Sequence, residues 1–229
     1  MNTKKQSSIE ESVYHSGENG RRNVLKICSV VLTFFIGIAC IPPQRGISVF
    51  QNDQLYSGEQ LFRQHCIVCH SFKGAGGNSA PDLTAYNSKP WLTGFIQDPN
   101  APKYYGNTKI DKMPEFSLKK EDLSNLVEFL LAQADQDKEI DPVLKETGKT
   151  ILEENECYSC HTYDGKGGSI APTLDGFASD KWLRGIIEDP GQEEFFGRFS
   201  VMPAFKDKLS SEEIDNLVYF LQNLRKESL

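Results

Sequence analysis

Histidine and methionine are scarce in this sequence, and no stretch of it alternates like a β-strand. Of 229 residues only four are histidines and three are methionines. These few side chains are His15, His65, His70, His161, Met1, Met113 and Met202. So small a set excludes sites built from many histidines, and the lack of period-two alternation predicts a protein without a substantial sheet.

Positive charge is also in short supply. The chain has 25 lysines and arginines against 32 aspartates and glutamates, a net charge of -7. The first 41 residues carry five basic and three acidic side chains, so the rest of the chain accounts for -9. An acidic domain repels nucleic acid and attracts basic protein partners at rates that depend on salt. We therefore expect no nucleic-acid binding.

Long hydrophobic runs are absent except near the amino terminus. Residues 24–41 are mostly apolar, and about 18 residues is near the minimum length for crossing a bilayer. Because Arg21 and Arg22 precede this segment, the positive-inside rule places residues 1–23 in the cytoplasm and everything after it on the periplasmic side of a bacterial membrane. We expect a single-pass anchor, with a cleaved signal peptide or a lipid-modified Cys40 as the alternatives.

The rest of the chain is an internal repeat. The motif Cys66-x-x-Cys69-His70 returns 91 positions later, and the matches continue through a glycine-rich loop, a tryptophan, an Asp-Pro pair and a Met-Pro pair. The second occurrence of the motif consists of Cys157, Cys160 and His161. The repeat predicts two tandem domains, a first copy at residues 53–134 and a second copy at residues 141–229, joined by a polar linker around 132–138.

Each copy has the same predicted secondary structure, and the fold class is all-α. A helix precedes the cysteine motif, a short helix surrounds the tryptophan, and an amphipathic helix closes the copy. The predicted helices are 57–64, 91–97 and 118–134 in the first copy and 141–155, 181–188 and 209–225 in the second.

The two Cys-x-x-Cys-His pentads predict covalent attachment of two haem c groups. In this pentad the two thiols add to the two vinyl groups of one haem, and the adjacent histidine reaches the iron. The attaching pairs are Cys66 with Cys69 and Cys157 with Cys160. A thioredoxin-like redox pair would require a strand-turn-helix context, and a zinc site would require further ligands. The sequence supplies neither, so His70 and His161 are predicted to be iron ligands.

The sixth ligand of each iron is predicted to be a methionine. No second histidine is available for either haem, because His15 lies in the cytoplasmic segment and His65 adjoins Cys66. Met113 and Met202 occur once per copy, and each is followed by a proline. A single methionine is more often a core filler, but two aligned ones favour ligation. His/Met coordination raises the reduction potential relative to His/His.

With these motifs, each copy resembles a class I cytochrome c domain. The resemblance implies that a proline carbonyl, from Pro81 or Pro172, orients the proximal histidine. It also implies that the first and last helices of one copy cross, with Gly58 and Phe62 against Phe129 in the first copy.

The same resemblance suggests that Gly148 or Leu152 contacts Phe220 in the second copy. Trp91 and Trp182 could donate an indole N–H to a haem propionate or could be ordinary core aromatics. The sequence leaves both roles open.

Filled axial positions leave no site for substrate, so the sequence predicts an electron carrier rather than an enzyme. The anchor and the tryptophan, Asp-Pro and Met-Pro motifs resemble the di-haem cytochrome subunit of bacterial cytochrome bc complexes. That resemblance implies a Rieske iron-sulfur protein and cytochrome b as partners, with a downstream cytochrome c or oxidase. The alternatives are a free tethered shuttle, a terminal-oxidase subunit of the cbb type, or, from another class, a di-haem peroxidase or gas sensor.

Overall fold

The computed structural model describes residues 45–109, 113–135 and 138–226, with only the backbone of residues 45–51. The predicted cytoplasmic tail 1–23 and the predicted anchor 24–41 lie outside the described residues. Within the part that the structure describes, no helix is both long enough and apolar enough to cross a membrane.

Helices dominate the described residues, as the sequence predicts. The α-helices are α1 Arg45–His65, α2 Lys89–Gln97, α3 Lys120–Gln133, α4 Pro142–Glu154, α5 Asp180–Glu188 and α6 Ser211–Leu224. Helix α1 begins twelve positions before the predicted start at Ser57, because no proline interrupts residues 45–65 and the helix continues through that serine.

Side-chain caps set the starts of several helices. The Asp141 carboxylate accepts a hydrogen bond from the Leu144 N–H at 3.0 Å, with Pro142 in the first turn of α4. Ser210 and Glu213 form a reciprocal capping box at α6. These short polar side chains satisfy N–H groups that have no partner within the helix.

Two small hairpins were not predicted. Strand β1 (Ser71–Phe72) pairs antiparallel with β2 (Ala75–Gly76), and β3 (Thr162–Tyr163) pairs with β4 (Lys166–Gly167). These hairpins are too small to change the predicted all-α fold class. Each strand has two residues, which is too short for an alternating pattern to be visible in sequence.

The helices pack across the repeat rather than within it. Helix α1 of the first copy packs against α6 of the second copy, and α3 of the first copy packs against α4 of the second. The short helices keep to their own copies, α2 against α3 and α5 against α6. All described residues fall in one compact unit, so the boundaries at 53–134 and 141–229 describe the sequence repeat.

The predicted helix crossings are therefore wrong in their partners. Gly58 lies against the Asn216 carbonyl and Phe220, and the Phe62 and Phe220 rings are 5.6 Å apart between centroids. Gly148 lies directly against the Phe129 ring. The residue types at both crossings are the ones expected, a glycine facing a phenylalanine, but because the copies are alike each helix fits the partner in the other copy equally well.

Two hydrophobic clusters result from this packing of helices against the other copy. The first cluster joins the end of α1 and β1 to α5 and α6; its buried members include Phe62, Phe72, Ile187, Phe205, Leu217 and Phe220. The second cluster joins α2 and α3 to α4 and β3; its buried members include Trp91, Leu126, Phe129, Ile151, Leu152 and Tyr163. Tyr86 and Phe177, which are equivalent positions in the two copies, pack against both clusters.

Candidate haem-binding sites

The first cysteine pentad continues directly from the end of α1. The Cys66 N–H donates to the Phe62 carbonyl at 2.8 Å, and the His70 N–H donates to the Cys66 carbonyl at 3.0 Å. This turn follows the helix without a break. The packing of α1 therefore fixes the position of both thiols and the imidazole.

The His70 ring is oriented by a backbone carbonyl. Its Nδ1 lies 2.8 Å from the Pro81 oxygen, and because a carbonyl only accepts, Nδ1 must carry the proton. The other nitrogen, Nε2, then has a free lone pair, which is what an iron requires. Burial lowers the pKa of His70, while the hydrogen bond to Pro81 acts in the opposite direction. The lowered pKa favours the neutral imidazole, and the hydrogen bond to Pro81 fixes the orientation of the ring.

The second pentad repeats this arrangement. A short 3₁₀ turn at Cys157–Ser159 follows α4, and the His161 N–H donates to the Cys157 carbonyl at 2.9 Å. His161 Nδ1 lies 2.6 Å from the Pro172 oxygen. Burial lowers the pKa of His161 as well, opposed by this hydrogen bond. Both prolines thus contact the histidines that the resemblance assigns to them.

Glycines let the following hairpin fold back onto each pentad. Gly76 has φ +109°, and a Cβ there would lie 2.5 Å from the His70 carbonyl oxygen. The Gly77 N–H donates to the Ile67 carbonyl at 2.8 Å. A larger residue at Gly76 would meet both backbone strain and a steric clash. The glycine-rich loop therefore has a structural function, which is to hold the backbone around the proximal histidine.

The four described cysteines are free, and two of them have raised thiol pKa values. They form no disulfides with one another. Burial, with a smaller contribution from Cys69, raises the pKa of Cys66 to about 12, and burial likewise raises that of Cys157 to about 11. A catalytic redox pair needs a lowered thiol pKa. Among the described residues no group of three or more Cys, His, Asp or Glu side chains could hold a metal ion. The thiols fit covalent haem attachment better than either alternative.

A cavity beside the first pentad brings Cys66 and His70 together with Met202. Apolar side chains line the remainder: Phe62, Leu83, Ile187, Phe205, Leu217 and Leu221. One thiol, one imidazole and one thioether in an otherwise apolar cavity match the donor set of a haem c with His/Met ligation. Ile187, Phe205, Leu217 and Leu221 come from the second copy.

Sequence reasoning missed Ile187 and Phe205 as lining residues. The repeat contains the signal that could have found them. Ile187 corresponds to Ile96, and the run Met202-Pro203-Ala204-Phe205 corresponds to the first copy's Met-Pro-Glu-Phe. A phenylalanine three positions after each methionine therefore indicates a cavity wall.

Met113 does not share the cavity of His70. It is half-buried and belongs to neither the first nor the second cluster, while its neighbours 110–112 lie outside the described residues. Cys157 and Tyr158 of the second pentad pack instead against the second cluster, most of whose buried members belong to the first copy. Ligation by Met113 stays a prediction.

The two tryptophans use their indole N–H groups within the protein. Trp91 Nε1 donates to the Asp82 carbonyl at 2.9 Å, and Trp182 Nε1 donates to the Thr173 carbonyl at 3.0 Å. Each indole has a single N–H. These bonds tie the segment that follows each proline to the short helix of the same copy. Donation to a haem propionate would require breaking them.

Comparison with known proteins decides the family. The cytochrome c family model matches twice, at residues 56–134 and 145–225, together more than half of the chain. The chain belongs to the cytochrome c family. Two covalently attached haem c groups are its cofactors.

Curated relatives are subunits of cytochrome c oxidases. The chain is 26% identical over 186 residues to Cbb3-type cytochrome c oxidase subunit CcoP of Helicobacter pylori, covering 76% of this chain and 60% of that one. It is 30% identical over 183 residues to the subunit of the same name from Cereibacter sphaeroides, covering 73% and 60%.

A more distant relative is cytochrome c oxidase subunit 2 of Alkalihalophilus pseudofirmus, 25% identical over 117 residues, covering 48% of this chain and 33% of that one. The chain thus spans about three fifths of the length of the CcoP relatives. No solved structure matches it.

Proposed function

We propose that this protein is a membrane-tethered di-haem cytochrome c that delivers electrons to a terminal oxidase of the cbb3 type. The observation that carries the electron-transfer part is the cavity that holds Cys66, His70 and Met202 within an apolar lining. The relatives named CcoP support the oxidase part.

The chain's own residues would keep each iron closed to substrate. When bound, a haem iron supplies a one-electron redox couple. His70 and His161 would each present Nε2 to an iron while Nδ1 stays on a proline carbonyl. Met202 would supply its thioether sulfur to one iron and Met113 to the other. With both positions filled, the reaction that remains is outer-sphere electron transfer.

The oxidase is favoured over a cytochrome bc complex. The sequence motifs favour a bc subunit with Rieske and cytochrome b partners, whereas the curated relatives are oxidase subunits. An acidic haem domain is compatible with either, because in both cases it would attract a basic electron-transfer partner. The alternative noted from the sequence, a terminal-oxidase subunit, therefore becomes the main proposal.

A retained anchor is the second part of the proposal. Residues 24–41 are apolar and follow two arginines, so a helix there would leave residues 1–23 inside the cell and the haem domains on the periplasmic side. Protease treatment of intact spheroplasts tests this. We expect loss of haem staining with a short membrane-bound stub remaining; complete release of an intact haem protein by salt washing would contradict the anchor.

Purification from membranes tests the partner. A carboxyl-terminally tagged full-length protein, solubilised in mild detergent, should co-purify with an oxygen-reducing haem-copper subunit and support cytochrome oxidation. Recovery of a Rieske protein and cytochrome b instead would support the bc complex. A tagged Met202→Ala protein is the matched control, because it should assemble but transfer electrons more slowly.

Absorption spectroscopy tests the closed coordination. The oxidised protein should show the weak near-infrared band of methionine bonded to ferric iron, at the strength expected for two haems per chain. The reduced protein should not bind carbon monoxide rapidly. Peroxide turnover or fast carbon monoxide binding by the wild type would instead support the peroxidase or gas-sensor alternatives.

A further inference from the structure

We propose that each haem takes its histidine from one copy of the repeat and its methionine from the other, an arrangement called here the exchange. The haem attached at Cys66 and Cys69 would take His70 and Met202, and the haem attached through the second pentad would take His161 and Met113. This inference rests on the proposed His/Met ligation and goes beyond it by stating which methionine serves which iron.

The first step of the argument is the shared cavity. Cys66 and His70 from the first copy and Met202 from the second line the same cavity. Met202 packs against the first cluster, which contains Phe62 and Phe72 beside the first pentad. Met113 lines neither this cavity nor that cluster.

The loop that carries Met202 is held beside the end of α1. The Phe205 N–H donates to the Ile187 carbonyl at 3.1 Å, which fixes the loop to α5. The ring of Phe205 meets the ring of His65 edge-on, with centroids 6.3 Å apart. His65 is the last residue of α1 and precedes Cys66. Phe205 thus contacts both the residue that precedes the first pentad and the short helix of its own copy.

The walls of the first site come from the exchanged helix pair. Phe220 of α6 lies 5.6 Å from Phe62 and 5.5 Å from Phe72 between ring centroids. Gly58 lies so close to α6 that a Cβ would overlap the Asn216 carbonyl. Such close packing leaves no room for the first copy's closing helix, so the second copy's methionine loop accompanies α6 to this site.

The second site shows the reciprocal arrangement. Phe129 of α3 lies 5.1 Å from Tyr163 in β3 between ring centroids. Gln133 of α3 bonds to both sides of the second haem loop, donating to the Tyr163 hydroxyl at 3.4 Å and accepting from the Gly176 N–H at 3.3 Å. Helix α3 of the first copy therefore contacts the segment that follows His161, and Met113 is the only methionine of the first copy.

The test labels one haem without removing it. In full-length Cys69→Ser protein the first haem keeps one thioether and one vinyl group, and the remaining conjugation moves its visible band to longer wavelength. Cys160→Ser labels the second haem in the same way. Carbon monoxide is then added to the reduced protein after Met202→Ala or Met113→Ala, each of which opens one iron.

The exchange predicts which haem's visible band responds to carbon monoxide. In the Cys69→Ser background, Met202→Ala should make the shifted band respond to carbon monoxide and should halve the near-infrared band. Met113→Ala should make the unshifted band respond. The opposite pattern would overturn the exchange while leaving His/Met ligation intact. Absence of the near-infrared band from the wild type would remove the ligation itself, and the exchange with it.

A second pair of variants covers the case in which an open iron destabilises the protein. Met202→His and Met113→His keep both irons six-coordinate and should lower the reduction potential of one haem each. Potentiometric titration followed at the shifted band of Cys69→Ser protein should detect the lowered potential with Met202→His and not with Met113→His. The reverse assignment would contradict the exchange.

Discussion

Phe62 packs against Phe220 across the repeat, with ring centroids 5.6 Å apart. The first ring belongs to the helix that carries the first pentad, and the second belongs to the helix that ends the chain. Both are almost fully buried. The haem-attachment segment of one copy is therefore stabilised by the closing helix of the other, and damage to one copy should affect the site formed with the other.

Removal of the Phe220 ring should damage the first haem site. Phe220→Ala deletes contacts with Phe62 and Phe72 and should lower the free energy of unfolding by about 3 to 5 kcal/mol. In the Cys69→Ser background, mild denaturation should first release the methionine from the haem with the shifted visible band, with loss of its near-infrared band. Phe129→Ala is the matched variant and should affect the unshifted haem. Loss at the unshifted haem in Phe220→Ala would contradict the packing described here.

Enlargement of Gly58 should separate α1 from α6. Gly58→Ala places a methyl group against the Asn216 carbonyl and Phe220, and overpacking of this kind costs about 1 to 3 kcal/mol. Chemical denaturation monitored by circular dichroism measures the loss. The neighbouring exposed Gln60 provides a control, because Gln60→Ala should change stability by no more than about 0.5 kcal/mol. Equal effects of the two changes would argue against close packing at Gly58.

Acid should weaken the attachment of the Met202 loop. Lys206 Nζ lies 2.8 Å from Asp189 Oδ2, and this hydrogen bond lowers the pKa of Asp189 below its reference value of 3.8. A carboxyl whose pKa is lowered by folding contributes stability above its unfolded pKa and loses that contribution as pH falls through the folded value. Lys206 is exposed and Asp189 is partly exposed, so the effect should be small.

Lys206→Met removes this contribution. The acid midpoint for loss of the near-infrared band should therefore lie at higher pH in the variant than in the wild type. Lys181→Met, at another exposed lysine of the second copy, is the control and should leave the midpoint unchanged. An unchanged midpoint in Lys206→Met would show that the ion pair does not hold the loop.

Cleavage between the copies should not separate them. A protease site inserted in the full-length chain between the exposed residues Lys138 and Glu139 divides it into two haem-bearing pieces. Because α1 packs on α6 and α3 on α4, both pieces should stay together in size-exclusion chromatography and separate only in denaturant.

The near-infrared band should also survive this cleavage. Two freely separating haem peptides, each with a full band, would mean that each copy is self-sufficient. That result would contradict both the exchanged packing and the exchanged ligands. Cleavage at an inserted site between Lys166 and Gly167, in the second hairpin, is a control that should disturb only the loop around His161.

Much of this protein can be read directly from its sequence. The pentads at Cys66 and Cys157 identify the cofactor because covalent attachment needs two thiols and a histidine at fixed spacing, which a sequence displays completely. The helix positions follow from apolar periodicity and from caps such as Asp141. The prolines at 81 and 172 could be assigned because the resemblance to class I cytochrome c domains places a proline carbonyl beside the proximal histidine.

Only the tertiary structure decided which copy completes which site. Phe129 and Phe220 are equivalent, as are Gly58 and Gly148, so packing energy alone is the same for either pairing and sequence patterns cannot distinguish them. The folded chain has the crossed arrangement, in which Tyr86 and Phe177 contact both clusters. An internal repeat thus determines the parts of each site, while the choice between identical partners depends on the folded chain.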